Sequence, residues 1–75
     1  MSSITDKQIS LLYKRQQLIE NITLTEILIK HADKNNDSET LISAERELSE
    51  QKIELAIVDN KLARIQKKLE KGATK

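Results

Sequence analysis

The chain has 75 residues, a formal net charge of +1, no cysteine, no proline and a single histidine. A domain this small is usually held together by disulfides or a metal, and this composition supplies neither. The near-neutral charge excludes a strong overall field toward nucleic acid or anionic lipid. Leu, Ile, Glu, Lys and Gln dominate, so regular helix packing, or association with a partner, is the expected source of stability.

The first predicted helix begins at Asp6. Thr5 is suited to cap it, and Gln8 stands at the third helical position, where it completes a capping box. Asp6 places a negative charge in the first turn, which complements the helix dipole. We predict that this helix covers residues 6–32 and that the polar stretch 33–38 forms a turn.

The second predicted helix covers residues 39–71. Asp37 or Ser38 is suited to cap it. The chain contains no helix-breaking residue after this turn until Gly72, which we expect to end the helix. Residues 73–75 are expected to form a frayed tail.

A seven-residue repeat of apolar residues predicts how the helices pack. Leucine recurs without interruption in the second helix, and the first helix carries a weaker repeat. A turn near residue 36 places opposite one another residues whose numbers sum to about 73. We therefore predict an all-α, antiparallel two-helix hairpin of the coiled-coil type over residues 5–72, standing alone or completing a bundle with a partner or a second copy. The seams are Ile4, Gln8, Leu11, Arg15, Leu18, Ile22, Thr25, Ile29 and Ala32 in the first helix, and Leu41, Ala44, Leu48, Gln51, Leu55, Val58, Leu62, Ile65 and Leu69 in the second.

Polar residues interrupt both seams. Arg15, Thr25 and Gln51 occupy positions that an apolar seam would fill. Such residues often lower stability while they fix the register of the helices. The alternative for Arg15 is that its long side chain passes the seam and reaches water.

More aliphatic side chains are present than one helix-to-helix contact buries. Several lie nearly opposite the seams, at about 100° per residue. They are either scattered surface residues that need no explanation or a docking surface for a second copy or another protein. We favour docking, because a lone hairpin of this size is marginally stable. The candidate partner-binding residues are Ile9, Tyr13, Leu24, Ile27, Ile42, Ile53 and Ile57.

The sequence offers no constellation for catalysis. A hairpin has no cavity in which polar groups converge, so we predict that the protein is not an enzyme. His31 has Asp33 nearby but no second ligand of its own type, so we expect neither a metal nor a cofactor. The longest apolar run, residues 27–29, is too short for membrane insertion, and the N-terminus does not resemble a signal peptide. We therefore expect a cytoplasmic location.

The end of the second helix is basic, whereas its first half is acidic. This gradient either complements the helix dipole or forms a phosphate-binding patch for RNA or DNA. The segment lacks aromatic residues for stacking, which disfavours nucleic acid. A dimeric four-helix-bundle RNA-binding regulator is nevertheless the second hypothesis for function. The candidate basic patch is Lys61, Arg64, Lys67, Lys68 and Lys71.

Three segments carry a family resemblance: residues 6–32, the polar turn 33–38 and the run Ile-Glu-Leu-Ala-Ile-Val at 53–58. In these segments the chain resembles the small co-chaperones of type III secretion needle subunits, which are cytoplasmic hairpins of similar length. The resemblance implies a protein that stabilises a larger helical-repeat chaperone, so that the ternary complex prevents the needle subunit from polymerising before export. The exposed aliphatic residues would then dock onto that complex.

A competing resemblance is to the plasmid copy-number regulator that forms a four-helix bundle from two hairpins. It implies a basic bundle surface that binds paired RNA loops. Our leading hypothesis is a helical-hairpin adaptor or co-chaperone that binds a protein partner, either a helical chaperone or a secreted subunit, or a second copy. A structural or phage-type assembly protein remains a third interpretation that the sequence does not separate from an adaptor.

Overall fold

A computed structural model describes the backbone of residues 5–73 and the side chains up to residue 70. Two helices, α1 (Asp6–Lys34) and α2 (Ser38–Ala73), follow one another along the chain and pack side by side. The molecule is a thin rod of 59 × 17 × 13 Å. The predicted all-α two-helix hairpin is confirmed.

The start of α1 follows from a capping box. The backbone N–H of Gln8 donates to Thr5 Oγ1 at 3.1 Å, and the backbone N–H of Thr5 donates to Gln8 Oε1 at 3.1 Å. Two N–H groups that the first helical turn leaves unpaired are therefore satisfied by side chains. The predicted start at Asp6 agrees with the structure, whereas Ile4, the first predicted seam residue, lies outside the described residues.

Both helices are longer than predicted. α1 continues to Lys34, two residues beyond the expected end, and α2 begins one residue early at Ser38. α2 also passes through Gly72, so this glycine does not end the helix. A helical glycine costs only about 1 kcal/mol relative to alanine, and no proline follows to break the helix. Of the predicted frayed tail, Ala73 is helical and residues 74–75 lie outside the described residues.

A Schellman motif makes the turn short. Asn36 has a positive φ of 56°. The N–H of Asp37 donates to the carbonyl of Ala32 at 2.9 Å, and that of Asn36 donates to the carbonyl of Asp33 at 3.2 Å. These bonds satisfy carbonyls at the end of α1, and asparagine accepts the left-handed conformation at lower cost than most residues. The chain therefore reverses within residues 35–37.

Asp37 caps α2. Its Oδ1 accepts the backbone N–H of Thr40 at 3.2 Å, and its Oδ2 accepts the Thr40 hydroxyl at 2.6 Å. The hydroxyl first, and the backbone N–H second, lower the pKa of Asp37 below its ordinary value of 3.8. Of the two capping residues that the sequence allowed, the structure uses Asp37.

The predicted seams form the contact between the helices. Every seam residue that the structure describes is buried or half-buried. The most enclosed side chains are small: Ala44 and Val58 are each 2% exposed, and no large side chain of the described residues is fully enclosed. A contact between only two helices leaves most of the large seam residues half-buried, and Leu18, at 7% exposed, is the exception. The core is therefore thin.

The three polar seam residues differ in how their polar groups are satisfied. Arg15 extends out of the seam, and its Nε donates to Asp59 Oδ1 at 2.7 Å. Thr25 is buried, and its hydroxyl donates to the carbonyl of Asn21 at 2.9 Å. Gln51 Oε1 is buried and accepts no hydrogen bond. Gln51 is therefore the unfavourable position in the seam, because a buried polar atom without a partner costs about 1–3 kcal/mol.

Replacing Gln51 with leucine should raise the free energy of unfolding by about 1 kcal/mol or more. The substitution removes the unpaired carbonyl oxygen and adds apolar contact against α1. Urea unfolding followed by circular dichroism measures the change. Gln16→Leu, on the exposed surface of α1, is the matched control and should have little effect. A lower stability for Gln51→Leu than for the parent would show that the amide is satisfied.

The Asp37 cap predicts an acid-dependent loss of stability. Because the pKa of Asp37 is lower in the folded chain, its contribution is present above the unfolded pKa and is lost as the pH falls through the folded pKa. Thr40→Val removes the hydroxyl donor and should reduce the loss of stability measured between about pH 5 and pH 2. Thr23→Val removes a hydroxyl that donates to the Ile19 carbonyl and should leave the acid dependence unchanged. Equal acid dependence for Thr40→Val and the parent would contradict this role of the cap.

Candidate protein-binding surfaces

The hairpin has two broad faces, one on each side of the seam. Residues seven apart along a helix that keeps a heptad seam lie on the same side of it. One face, here the lysine–glutamate face, carries a groove lined by Lys7, Lys61, Arg64 and Lys68 near the open end, where α1 begins. The same face continues to a second groove near the turn, where Leu28 lies beside α2.

An ion pair joins the two helices midway along the lysine–glutamate face. Lys14 Nζ lies 3.1 Å from Glu54 Oε1, and both side chains are about half exposed. Exposed pairs of this kind contribute about 0–1 kcal/mol to stability. The position of this ion pair matters more than its strength, because it lies where the basic part of the face meets the acidic part.

The opposite face, here the alanine face, has small residues on α2. Leu12 on α1 and Ala63 and Gln66 on α2 line a shallow groove near the open end. Ala56 lies on the same side as Ala63, seven residues away, and Ile19 lies on the same side as Leu12. Small side chains beside aliphatic ones leave a groove that suits an apolar side chain of a partner.

All seven candidate partner-binding residues are exposed. Their exposed fractions range from 48% at Ile57 to 69% at Tyr13. Leu12 and Leu28 are exposed as well, and the sequence analysis did not select them. They flank the seam instead of lying opposite to it, and a search of the flanking heptad positions would have found them.

These residues do not form one continuous surface. The outer side of α1 and the outer side of α2 point in opposite directions, because their seams face each other. Ile53 and Ile57 lie one turn apart on the outer side of α2, toward the lysine–glutamate face. The single apolar surface that the sequence suggested is therefore divided between the helices.

The α1 members form two clusters. Leu24 and Ile27 are within one helical turn of each other, with Leu28 beside them, near the turn. Ile9 and Tyr13 lie near the open end, about two turns or more from that cluster: Tyr13 shares the outward side of α1 with Ile27, and Ile9 lies toward the alanine face. The remaining member, Ile42, is alone near the start of α2, on the side of the alanine face. A flat partner surface would therefore contact only some of the seven candidate partner-binding residues.

The structure brings together part of the predicted basic patch. Lys61, Arg64 and Lys68 share a groove, to which α1 adds Lys7. Lys67 lies outside that groove on the outer side of α2, and the side chain of Lys71 lies outside the described residues.

The acidic part of α2 is on the same face as the basic groove. Glu47 lines the groove near the turn, and Glu54 follows it seven residues later. Glu50 lies between them on the same side of the helix. The charge gradient that the sequence indicates along α2 is thus concentrated on one face, where Lys7 and Lys14 of α1 reinforce its basic half.

In the part of the chain that the structure describes, no group of three His, Cys, Asp or Glu side chains is placed to hold a metal ion. His31 is exposed near the turn. None of the described helical segments has the length and apolar character that a bilayer crossing requires. Comparison of the chain with protein-family models, with curated protein sequences and with solved structures finds no match.

Proposed function

We propose that this protein is a non-catalytic, protein-binding helical hairpin that acts as an adaptor or co-chaperone. The observation that carries the proposal is the pair Ile53 and Ile57, which are 62% and 48% exposed one turn apart on α2. Full burial of an isoleucine side chain contributes about 1.5–3 kcal/mol relative to exposure. A partner that covered both would gain a substantial part of a binding free energy from two residues.

A helical partner suits this surface. Exposed aliphatic residues at a spacing of three or four are the pattern by which one helix docks into the groove of another helical protein. Leu24 and Leu28 on α1 repeat the spacing of Ile53 and Ile57 on α2. Both pairs are presented by a rod whose helices already satisfy their own backbone groups, so docking orders few additional residues.

The resemblance to co-chaperones of type III secretion needle subunits supports a more specific form of the proposal. In that form the partner is a helical-repeat chaperone bound to a secreted subunit, and the hairpin acts in the cytoplasm. The hairpin fold agrees with this resemblance.

Ile53→Asp combined with Ile57→Asp should abolish partner binding while α2 remains helical. Two carboxylates would have to lose their hydration on docking, and the apolar contact would be lost. Tagged parent and variant are expressed in the native cell, and the co-purifying proteins are compared by quantitative mass spectrometry. Circular dichroism confirms that the variant keeps its helicity.

The matched control is Ser49→Asp combined with Asn60→Asp. Both residues are exposed on α2, and the control adds the same charge. It should recover the same partner as the parent. Two results would contradict the docking role of these isoleucines. One is a partner that binds the Ile53 and Ile57 variant as tightly as it binds the parent, and the other is that no co-purifying protein differs between the variants.

A second candidate function is RNA binding by a dimeric four-helix bundle. The groove that Lys7, Lys61, Arg64 and Lys68 line at the open end supports it. Four cations from two helices around one groove are an arrangement that attracts phosphate oxygens. The acidic residues farther along the same face oppose it.

RNA binding predicts a steep dependence of affinity on salt. If Lys61 and Lys68 contact phosphates, Lys61→Ala with Lys68→Ala should reduce the slope of log affinity against log salt by about 1.5–2. Electrophoretic mobility shifts with a stem–loop RNA measure this slope. Lys30→Ala with Lys52→Ala, exposed lysines away from this face, is the control. No shift at low salt with micromolar protein would eliminate this function.

A further inference from the structure

We infer that the lysine–glutamate face binds the same face of a second copy in antiparallel orientation, giving a four-helix bundle. This inference rests on the proposed protein-binding function and names one occupant of the surface. The observation behind it is that the two signs of charge on this face are separated along the rod and are placed symmetrically about its middle.

The separation of charge on this face is complete among the residues that the structure describes. Its open half carries only cations, and its turn half carries only carboxylates as charged groups besides His31. The boundary is the Lys14–Glu54 ion pair. The cations are Lys7, Lys14, Lys61, Arg64 and Lys68, and the carboxylates are Glu39, Glu47, Glu50 and Glu54.

The charges of α2 are arranged symmetrically about Ile57. Glu50 is seven residues before Ile57 and Arg64 is seven residues after it. Seven residues are two helical turns, or about 10 Å, so both side chains lie on the same side of α2 as Ile57. A two-fold axis through Ile57, perpendicular to the rod, therefore places Glu50 of one copy opposite Arg64 of the other.

Two further pairs follow from the same axis. Glu54 is three residues before Ile57 and Lys61 is four residues after it. Glu47 and Lys68 are ten residues before and eleven residues after, respectively. The two-fold thus brings three acid–base pairs together, each occurring twice. A contact of this type is isologous, so it closes as a dimer and leaves no free copy of the same surface.

The apolar residues of the face support the same arrangement. Ile57 would meet its own symmetry mate at the centre, and Leu24 and Leu28 would lose their exposure to solvent. The seam residues Leu11 and Ile65, which line the basic groove, would be covered from the side that one hairpin leaves open. The rod measures 59 by 17 Å, so one face is large enough for the about 800 Å² that each partner buries in a standard interface.

A second copy fits this face better than a polyanion does. A nucleic acid that lay along the basic groove would meet Glu47, Glu50 and Glu54 on the same face. Like charges placed together at an interface cost affinity, whereas a second copy in antiparallel orientation matches both halves. A parallel dimer would place cations against cations, so the charges select the antiparallel orientation.

Sedimentation equilibrium at low salt tests the inference with charge reversals. The parent should be a dimer whose affinity falls as salt rises. Glu50→Lys, which places a lysine opposite Arg64, and Arg64→Glu, which places a glutamate opposite Glu50, should each raise the dimer Kd by about tenfold or more. The double variant Glu50→Lys with Arg64→Glu restores opposite charges across the two-fold and should return the Kd to within a few fold of the parent.

Glu45→Lys is the control, because it makes the same change of charge on the alanine face and should leave the Kd unchanged. A parent that stays monomeric at high concentration would overturn the inference. So would a dimer that is insensitive to the single reversals, or one that the double variant does not restore. RNA that binds the parent monomer through Lys61 and Lys68 would also overturn it, since the face would then serve a nucleic acid.

The charge reversals leave Ile53 and Ile57 in place, so they separate this inference from the proposed function. A monomeric parent that still binds a foreign protein through Ile53 and Ile57 would overturn the inference alone. A dimer that behaves as described, in a chain whose isoleucine variant recovers the same proteins as the parent, would support the inference and contradict the adaptor function.

Discussion

The contact between the two heptad seams determines the position of every other side chain on the hairpin. Leu18, Leu55 and Val58 lie in this contact, buried or half-buried between the helices. Because the seams face each other, the positions that flank them form two broad faces, and the positions opposite to them point outward on separate sides. The heptad position of a residue therefore determines which other residues can contact the same partner surface.

The same contact limits what the protein can bury by itself. Its most enclosed seam residues are small ones such as Ala44, and most of the larger ones are only half-buried. The helix ends compensate in part, since Thr5 and Asp37 satisfy backbone N–H groups by capping. Buried apolar area remains the main source of stability in a domain of this size, and the net free energy of unfolding is small. A partner that buried the exposed aliphatic residues would therefore raise that free energy by a large fraction.

The sequence predicted the features that depend on local spacing. The seven-residue repeat identified the seams, and the Thr5 and Gln8 pair identified the start of α1. It did not predict that Asn36 would adopt a left-handed conformation. The predicted turn, residues 33–38, is therefore longer than the observed turn, residues 35–37. It treated the outward residues as one surface, because angles around one helix do not show where the neighbouring helix points. Which atoms in the seam stay unpaired, as Gln51 Oε1 does, depends on side-chain packing that no spacing specifies.

The arrangement of charge restricts which partner the lysine–glutamate face would accept, and in which orientation. An apolar surface alone would accept many orientations and many occupants, whereas separated charges admit one orientation by repelling the others. If a second copy covers the lysine–glutamate face, the alanine face stays accessible, with Ile9 and Leu12 on its α1 side. Those residues lie across the seam from Lys61 and Lys68, on the other side of the rod. Ile57 is common to the two proposals, because it lies on the two-fold axis of the dimer and within the proposed docking surface for a foreign partner. A second copy and a foreign helical protein would therefore compete for this side of α2.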